Sequence, residues 1–285
     1  MRSVKLKRLV GSVLKLYTEH RLSIASAGLC YFLTLSFFPL LICLQFMLGS
    51  MVPATEELRS FLSVVFPENT VSTILDYLRY VADNRSETML FLALTVVVSS
   101  SAAAFRVMDR VMGAMRGGRR FYGAGALVFS FCFSLLFLVT ICFAVILIGT
   151  GKWFLEFADR HIYFMNISAS WRWWRFVLLF LLLFVMISAI YRITAPPGKA
   201  KRHLPGALLS SAALVVISVL FSAFIGASVK YPLLYGSLAS VIVIMLWLYT
   251  AGNILFLGAA LNVALERTEE KNGAVPEGTR RRGVM

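Results

Sequence analysis

The residues of this sequence that could do chemistry are few, and most of them sit in apolar surroundings. Asn253 and Asn262 lie in a stretch of 35 residues without a charge, between Lys230 and Glu266. Tyr31, Thr34 and Gln45 lie in another, of 34 residues, between Arg21 and Glu56. Arg106 closes a third, which opens at Glu87. Amides and hydroxyls so placed could hydrogen-bond a polar headgroup, and the arginine could attract its charge. The same amides could instead join helix to helix, at about 0.6–2 kcal/mol each inside a membrane. Both readings are open on these residues.

Catalytic chemistry finds little support. The three histidines, His20, His161 and His203, are scattered, and the four cysteines, Cys30, Cys43, Cys132 and Cys142, form no CxxC pair. Neither set has the spacing of a metal site, and buried thiols behave as small apolar groups. No GxSxG, HExxH or GxxxxGK[ST] occurs. The expectation is no catalytic residue, no metal, no cofactor and no disulfide. Carboxylates are missing from the depths of the apolar runs, so a proton or sodium relay has no carrier. No ring of like charges marks a gated pore.

The elements that must position these residues follow from the solvent they are built for. The chain is 285 residues, 59% hydrophobic and only 15% charged, against about 25% charged in soluble domains. Uncharged runs are bounded by Arg21 and Glu56, Glu87 and Arg106, Arg120 and Lys152, Arg175 and Arg192, His203 and Lys230, and Lys230 and Glu266. A helix needs about 20 apolar residues to cross a bilayer core. Six spans result, at about 23–50, 88–108, 122–150, 174–194, 205–228 and 236–265. The fold class is all-α: a polytopic membrane bundle of six transmembrane helices, with an outer amphipathic helix and short interfacial helices. Residues 1–270 form one integral membrane domain, and 271–285 a flexible basic tail. The first apolar run is too long for a cleaved leader and is expected to be the first span.

Charge sets the orientation. One side, with both termini and the loops around 106–123 and 192–204, carries 20 of the 28 Lys and Arg and 6 of the 14 acids, net +14. The other carries 8 of each, net zero. The positive-inside bias puts both termini in the cytoplasm. Basic clusters such as "RGGRR" (116–120) and "RRR" (280–282) sit beside spans or in the tail, as topology determinants do. No nucleic-acid partner is expected. Membrane lipids are, with anionic headgroups gathered at the cytoplasmic face. Oligomeric state is left open.

Three further patterns shape the bundle. Val71, Ile74, Leu75, Leu78 and Val81 recur as on one face of an amphipathic helix, for which Asn69 or Thr70 could serve as cap. Aromatics in 152–175 suit headgroup depth. Small residues align at Ser218, Ser222 and Gly226, and Ala251, Gly258 and Asn262 share one side of the last span. Pro39 is placed to kink the first span. "SSSAAAFRVMDRVMGAM" (99–115) keeps helical character past the membrane edge.

"SIASAGLCYFLTLSFFPLLI" (23–42), "APPGKAKRHLPGALLSS" (195–211) and "YGSLASVIVIMLWLYTAGNILFLGAALNVALE" (235–266) resemble the YihY/BrkB family of inner-membrane proteins. "SSSAAAFRVMDRVMGAMRGGRRFYG" (99–123) follows the family's second helix more loosely, with Met112-Gly113 where the family often has Leu-Asn. The resemblance implies a six-span bacterial inner-membrane protein linked to envelope integrity. It also carries an older label, a tRNA-processing ribonuclease, which the three separated histidines oppose. Two functions follow: a transporter or flippase of an anionic amphiphile, or a non-transporting scaffold for envelope assembly. For the first, a cleft between the first, second and sixth spans would be lined by Tyr31, Thr34, Gln45, Arg106, Asn253 and Asn262.

Overall fold

The computed structural model of the chain describes residues 2–48, 59, 62–63, 68–118, 124–132, 134–135, 171–195, 203–226 and 239–273. Those residues are mostly helical, with short turns, bends and irregular connections and no strand among them. The named helices are α1 (Arg2–Glu19), α2 (Leu22–Leu48), α3 (Glu68–Asp83), α4 (Glu87–Arg116), α5 (Trp171–Ile193), α6 (Leu204–Gly226) and α7 (Ala239–Gly273). Residues 124–132 are helical too. Most of the third expected span, and the aromatic segment 152–170, lie outside the described residues.

Among the described residues, four helices are long and apolar enough to cross a membrane: Leu22–Phe46, Glu87–Arg116, Leu204–Phe221 and Ser240–Thr268. Leu179–Ile193 is a shorter apolar helix. α4 and α7 outrun the spans read from charge at their C-terminal ends, reaching Arg116 and Gly273. α4 continues to Arg116, and Gly117 then turns left-handed at φ 72. Gly118 N–H bonds Gly113 O at 3.0 Å and Gly117 N–H bonds Ala114 O at 3.2 Å, the paired bonds of a Schellman stop. At 1.5 Å per residue, 30-residue α4 is about 45 Å long and 35-residue α7 about 52 Å. Both exceed an apolar core of about 30 Å.

Helix direction alternates. Arg116, Tyr191 and Glu266 come together, so α4 and α5 end beside Glu266, where α7 runs on to Gly273. α6 begins there, since Gly206 meets Asn262, and α2 begins there, since Leu22 joins Leu16, Met115 and Ala264 in one core. Segment 124–135 starts from the same end: Phe129 packs on Phe105, while Ser134 Oγ donates to Val98 O at 3.1 Å. α2 runs unbroken through Pro39.

The two flanking helices sit at opposite ends. α1 lays Leu9, Val13, Leu16 and Tyr17 on the core where α2 begins. It is separated from α2 by Arg21, whose φ of 48 is left-handed. A non-glycine residue there costs about 1–2 kcal/mol. α3 closes the other end. Its stripe Val71, Ile74, Leu75, Leu78 and Val81 is buried against Leu41, Ile42, Ala93, Val97 and Ile244. Phe38 meets Tyr77 edge-on at 5.4 Å, and Thr73 Oγ1 lies 3.0 Å from Ser240 Oγ. α3 starts at Glu68, so Asn69 and Thr70 fall in its first turn, not at its cap.

Candidate functional site at the basic end

The polar residues of α7 meet partners on five other helices, α1, α2, α3, α4 and α6. Where α6 crosses α7, the two backbones touch. A methyl group built on Gly258 would lie 2.6 Å from Tyr191 Oη and 2.8 Å from Gly206 O, and would overlap Ser210 Oγ. One built on Gly206 would overlap Gly258 O. Small residues permit such approach in membranes. The contact brings three polar groups together. Tyr191 Oη donates to Leu255 O at 2.6 Å and lies 2.9 Å from Ser210 Oγ, which reaches Ile254 O at 3.2 Å. Tyr191 is fully buried.

Asn262 sits one turn further along and is 0% exposed. Its Oδ1 accepts from Gly206 N–H at 2.7 Å, and its Nδ2 donates to His203 O at 3.1 Å. The first amides of a helix have no partner within it. Asn262 therefore caps α6 from outside, 56 positions away in sequence. Asn253 is half-buried. Its Oδ1 accepts from Tyr17 Oη at 2.8 Å, and its Nδ2 donates to its own backbone at Tyr249 O, 2.8 Å. Tyr249 Oη in turn lies 2.7 Å from Ser23 Oγ. These contacts tie α1 and α2 to α7.

The remaining expected site residues are spread along the bundle. Tyr31 is 58% exposed, its ring edge-on to Phe32 at 5.2 Å. Thr34 Oγ1 lies 3.9 Å from Cys30 Sγ, which reaches Met245 O at 3.1 Å. Gln45 is buried, 14 residues beyond Tyr31 on α2 and so about 21 Å along its axis. Arg106 is half-buried on α4, one turn before buried Asp109. The two asparagines each bond residues outside the expected set.

An ionic cluster missing from the sequence reading lies at the same level as Asn262. The Arg116 side chain is 1% exposed, with Nε 3.6 Å from Glu266 Oε2 and Nη1 3.4 Å from Tyr191 O. Arg267 Nη2 donates to Met115 O at 2.8 Å. Together they bind the last turns of α4 and α5 to α7 at Glu266 and Arg267. Lys and Arg at helix C-termini are favourably placed against the helix dipole. His20 is in the turn after α1 and His203 just before α6; His161 lies outside the described residues.

Long apolar helices, polar groups bonded to one another inside the bundle and arginines gathered at one end define an integral membrane protein. A sequence model of the family described as virulence factor BrkB matches residues 13–281, and the chain belongs to that family. It is 24% identical over 261 residues, 89% of this chain and 94% of the other, to a ribonuclease-like protein, YfkH, of Bacillus subtilis. It is 29% identical over 126 residues to a UPF0761 membrane protein of Stenotrophomonas maltophilia, covering 43% of this chain and 26% of that one. A UPF0761 membrane protein of Xanthomonas campestris is 34% identical over 79 residues, 27% of this chain and 19% of its own. This chain thus spans about a quarter or less of those two relatives. No solved structure matches. The family and the UPF0761 proteins are described as a virulence factor and as membrane proteins, not by an enzyme activity. "Ribonuclease-like" is part of the Bacillus protein's own name.

Proposed function

We propose that this chain is a six-span inner-membrane protein, with both termini cytoplasmic and α3 on the outer side, that moves an anionic amphiphile across the bilayer in support of envelope integrity. The observation that carries this reading is the joining of charge to helix length. α4 and α7 overshoot a bilayer core at one end. That end presents Arg106, Arg110 and Arg267 while the side of the chain bearing it carries net +14. The shared level at which α2 and α6 begin and α4 and α5 end, beside Glu266 of α7, supports the alternation a six-span topology needs. In this reading Arg106 draws the headgroup in at the cytoplasmic mouth, and Tyr31 and Thr34 offer hydroxyls along α2. The protein acts without catalytic groups, so the ribonuclease label does not extend to it.

Purified protein in liposomes with a fluorescent anionic lipid tests this. Transbilayer movement should exceed that of empty vesicles, and Arg106→Ala should slow it. Movement at the empty-vesicle rate, under several ion gradients, would refute it.

A second reading, a non-transporting scaffold, is favoured by Asn253 and Asn262, whose amides are bonded inside the protein. Asn253→Leu separates the two. A purely structural amide predicts lower thermal stability in step with activity. A lining amide predicts lost movement with the folded protein kept.

A further inference from the structure

α1 and the end of α7 leave a cleft of about 180 Å³ between them, lined by Ser12, Lys15, Leu16, Ala264, Arg267 and Thr268. Leu16 and Ala264 are buried. The lining also holds two cations, Lys15 and Arg267, and no carboxylate. Like charges sharing a small cleft repel one another unless an anion lies between them. We propose that this cleft is a binding site for a phosphate group, held between the Lys15 ammonium and the Arg267 guanidinium.

The arginine is already positioned. Its Nη2–H···O bond to Met115 O, 2.8 Å, anchors the guanidinium to the end of α4. A guanidinium has five N–H donors in a planar fork, and this bond employs one. Planar donors of this kind match phosphate oxygens in pairs, while lysine adds a point charge. Ser12 Oγ and Thr268 Oγ1 bond their own helices, to Arg8 O at 2.9 Å and Ala264 O at 2.7 Å. Both hydroxyls can turn their protons toward a ligand. Two cations suit a tetrahedral dianion better than a single carboxylate. The cleft is far roomier than one water requires.

A phosphate monoester on a lipid headgroup and free inorganic phosphate share this chemistry. The site is built from α1 and α7 without Tyr31, Thr34 or Arg106. It therefore goes beyond the transport reading, and holds whether or not any lipid is moved.

The test uses the full chain in two arms. In neutral detergent, inorganic phosphate is titrated by calorimetry against chloride at matched ionic strength. In nanodiscs, phosphatidylcholine with and without phosphatidic acid is compared by native mass spectrometry for retained lipid. Lys15→Gln should weaken binding about tenfold, equivalent to about 1.4 kcal/mol. Arg267→Gln should weaken it further, while Lys7→Gln, on α1 but outside the cleft, should leave it unchanged. Binding in the first arm identifies a soluble phosphate site, and binding in the second alone identifies a headgroup site. No binding in either arm overturns the proposal. So does an equal loss in Lys7→Gln and Lys15→Gln, which would mean a diffuse basic surface. Lys15 is exposed, so its variant remains folded even if Arg267→Gln does not.

Discussion

Replacing Gly258 by alanine sets two effects of opposite sign against each other. In a helix interior, Gly→Ala gains up to about 1 kcal/mol through propensity. Against this, the new methyl would stand 2.6 Å from Tyr191 Oη and 2.8 Å from Gly206 O, and on top of Ser210 Oγ. The nearest atoms include backbone of a neighbouring helix, which cannot swing aside. Overpacking of this kind costs about 1–3 kcal/mol. Separating α6 from α7 also strains the bonds from Tyr191 to Leu255 O and from Ser210 to Ile254 O, each worth about 0.5–1.5 kcal/mol. With the full propensity gain set against these, the net is a loss of about 1–5 kcal/mol. The bundle contains its own controls. Gly28 has nothing within 4 Å of a built methyl, and Gly252 has its nearest neighbour, Ser26 Cβ, at 3.4 Å. Gly28→Ala should therefore stabilise, and Gly252→Ala should fall between. Thermal unfolding in detergent, at roughly 2–4 °C per kcal/mol, ranks the three. Ser210→Ala should recover part of the Gly258→Ala loss by removing the overlapped oxygen. A melting temperature for Gly258→Ala at or above that of Gly28→Ala would refute the close crossing.

Three further outcomes follow from the same contacts. Glu266→Gln takes a carboxylate from the buried Arg116 guanidinium, 3.6 Å away. Removing one partner of a buried pair costs about 3–5 kcal/mol, at the lower end here because Glu266 is 17% exposed; Arg116→Met with Glu266→Leu should recover most of it in the same melting assay. Arg21→Gly should raise stability by up to about 1 kcal/mol by relieving the left-handed backbone, and Arg21→Val should lower it. Tyr17→Phe should cost about 0.5–1.5 kcal/mol through the bond to Asn253 and should loosen α1, read as faster amide exchange over residues 9–17.

Much of the fold was legible because apolar period and length are local properties. The stripe from Val71 to Val81 fixed both the helix and its buried face. Gly258 and Asn262, four apart on α7, do share a packed side. α1 was legible in principle, since Leu9, Val13 and Leu16 recur at i, i+4 and i+7, but the basic residues among them read equally as topology determinants. Partners were not legible. The α6 residues meeting Gly258 are Gly206 and Ser210; Ser218, the first member of the expected stripe, instead accepts from Trp247 Nε1 at 3.2 Å. Tyr191 could be suspected as a hydroxyl in an apolar run, but nothing near it in sequence names Leu255 as its acceptor. Arg116 and Glu266 stand 150 positions apart, and each reads by itself as an edge charge.

On the proposed transport reading, the α6–α7 contact constrains the route an amphiphile could take. A methyl group does not fit between Gly258 and the Gly206–Ser210 face, so an acyl chain does not fit there either. Asn262 plugs the basic end of that same seam with both amide ends bonded. On that reading an amphiphile would have to travel along a different surface. Tyr31 keeps more than half its surface open on α2, and Arg106 remains partly exposed on α4. A route past those two helices needs them to part, and α2 and α4 share the core that runs from Leu29 and Phe105 at the basic end to Leu41 and Val97 toward α3. Transport on this route thus costs contacts, whereas a scaffold loses none. Cross-linking α2 to α4 through paired cysteines should stop lipid movement if the protein is a flippase and leave envelope support intact if it is a scaffold.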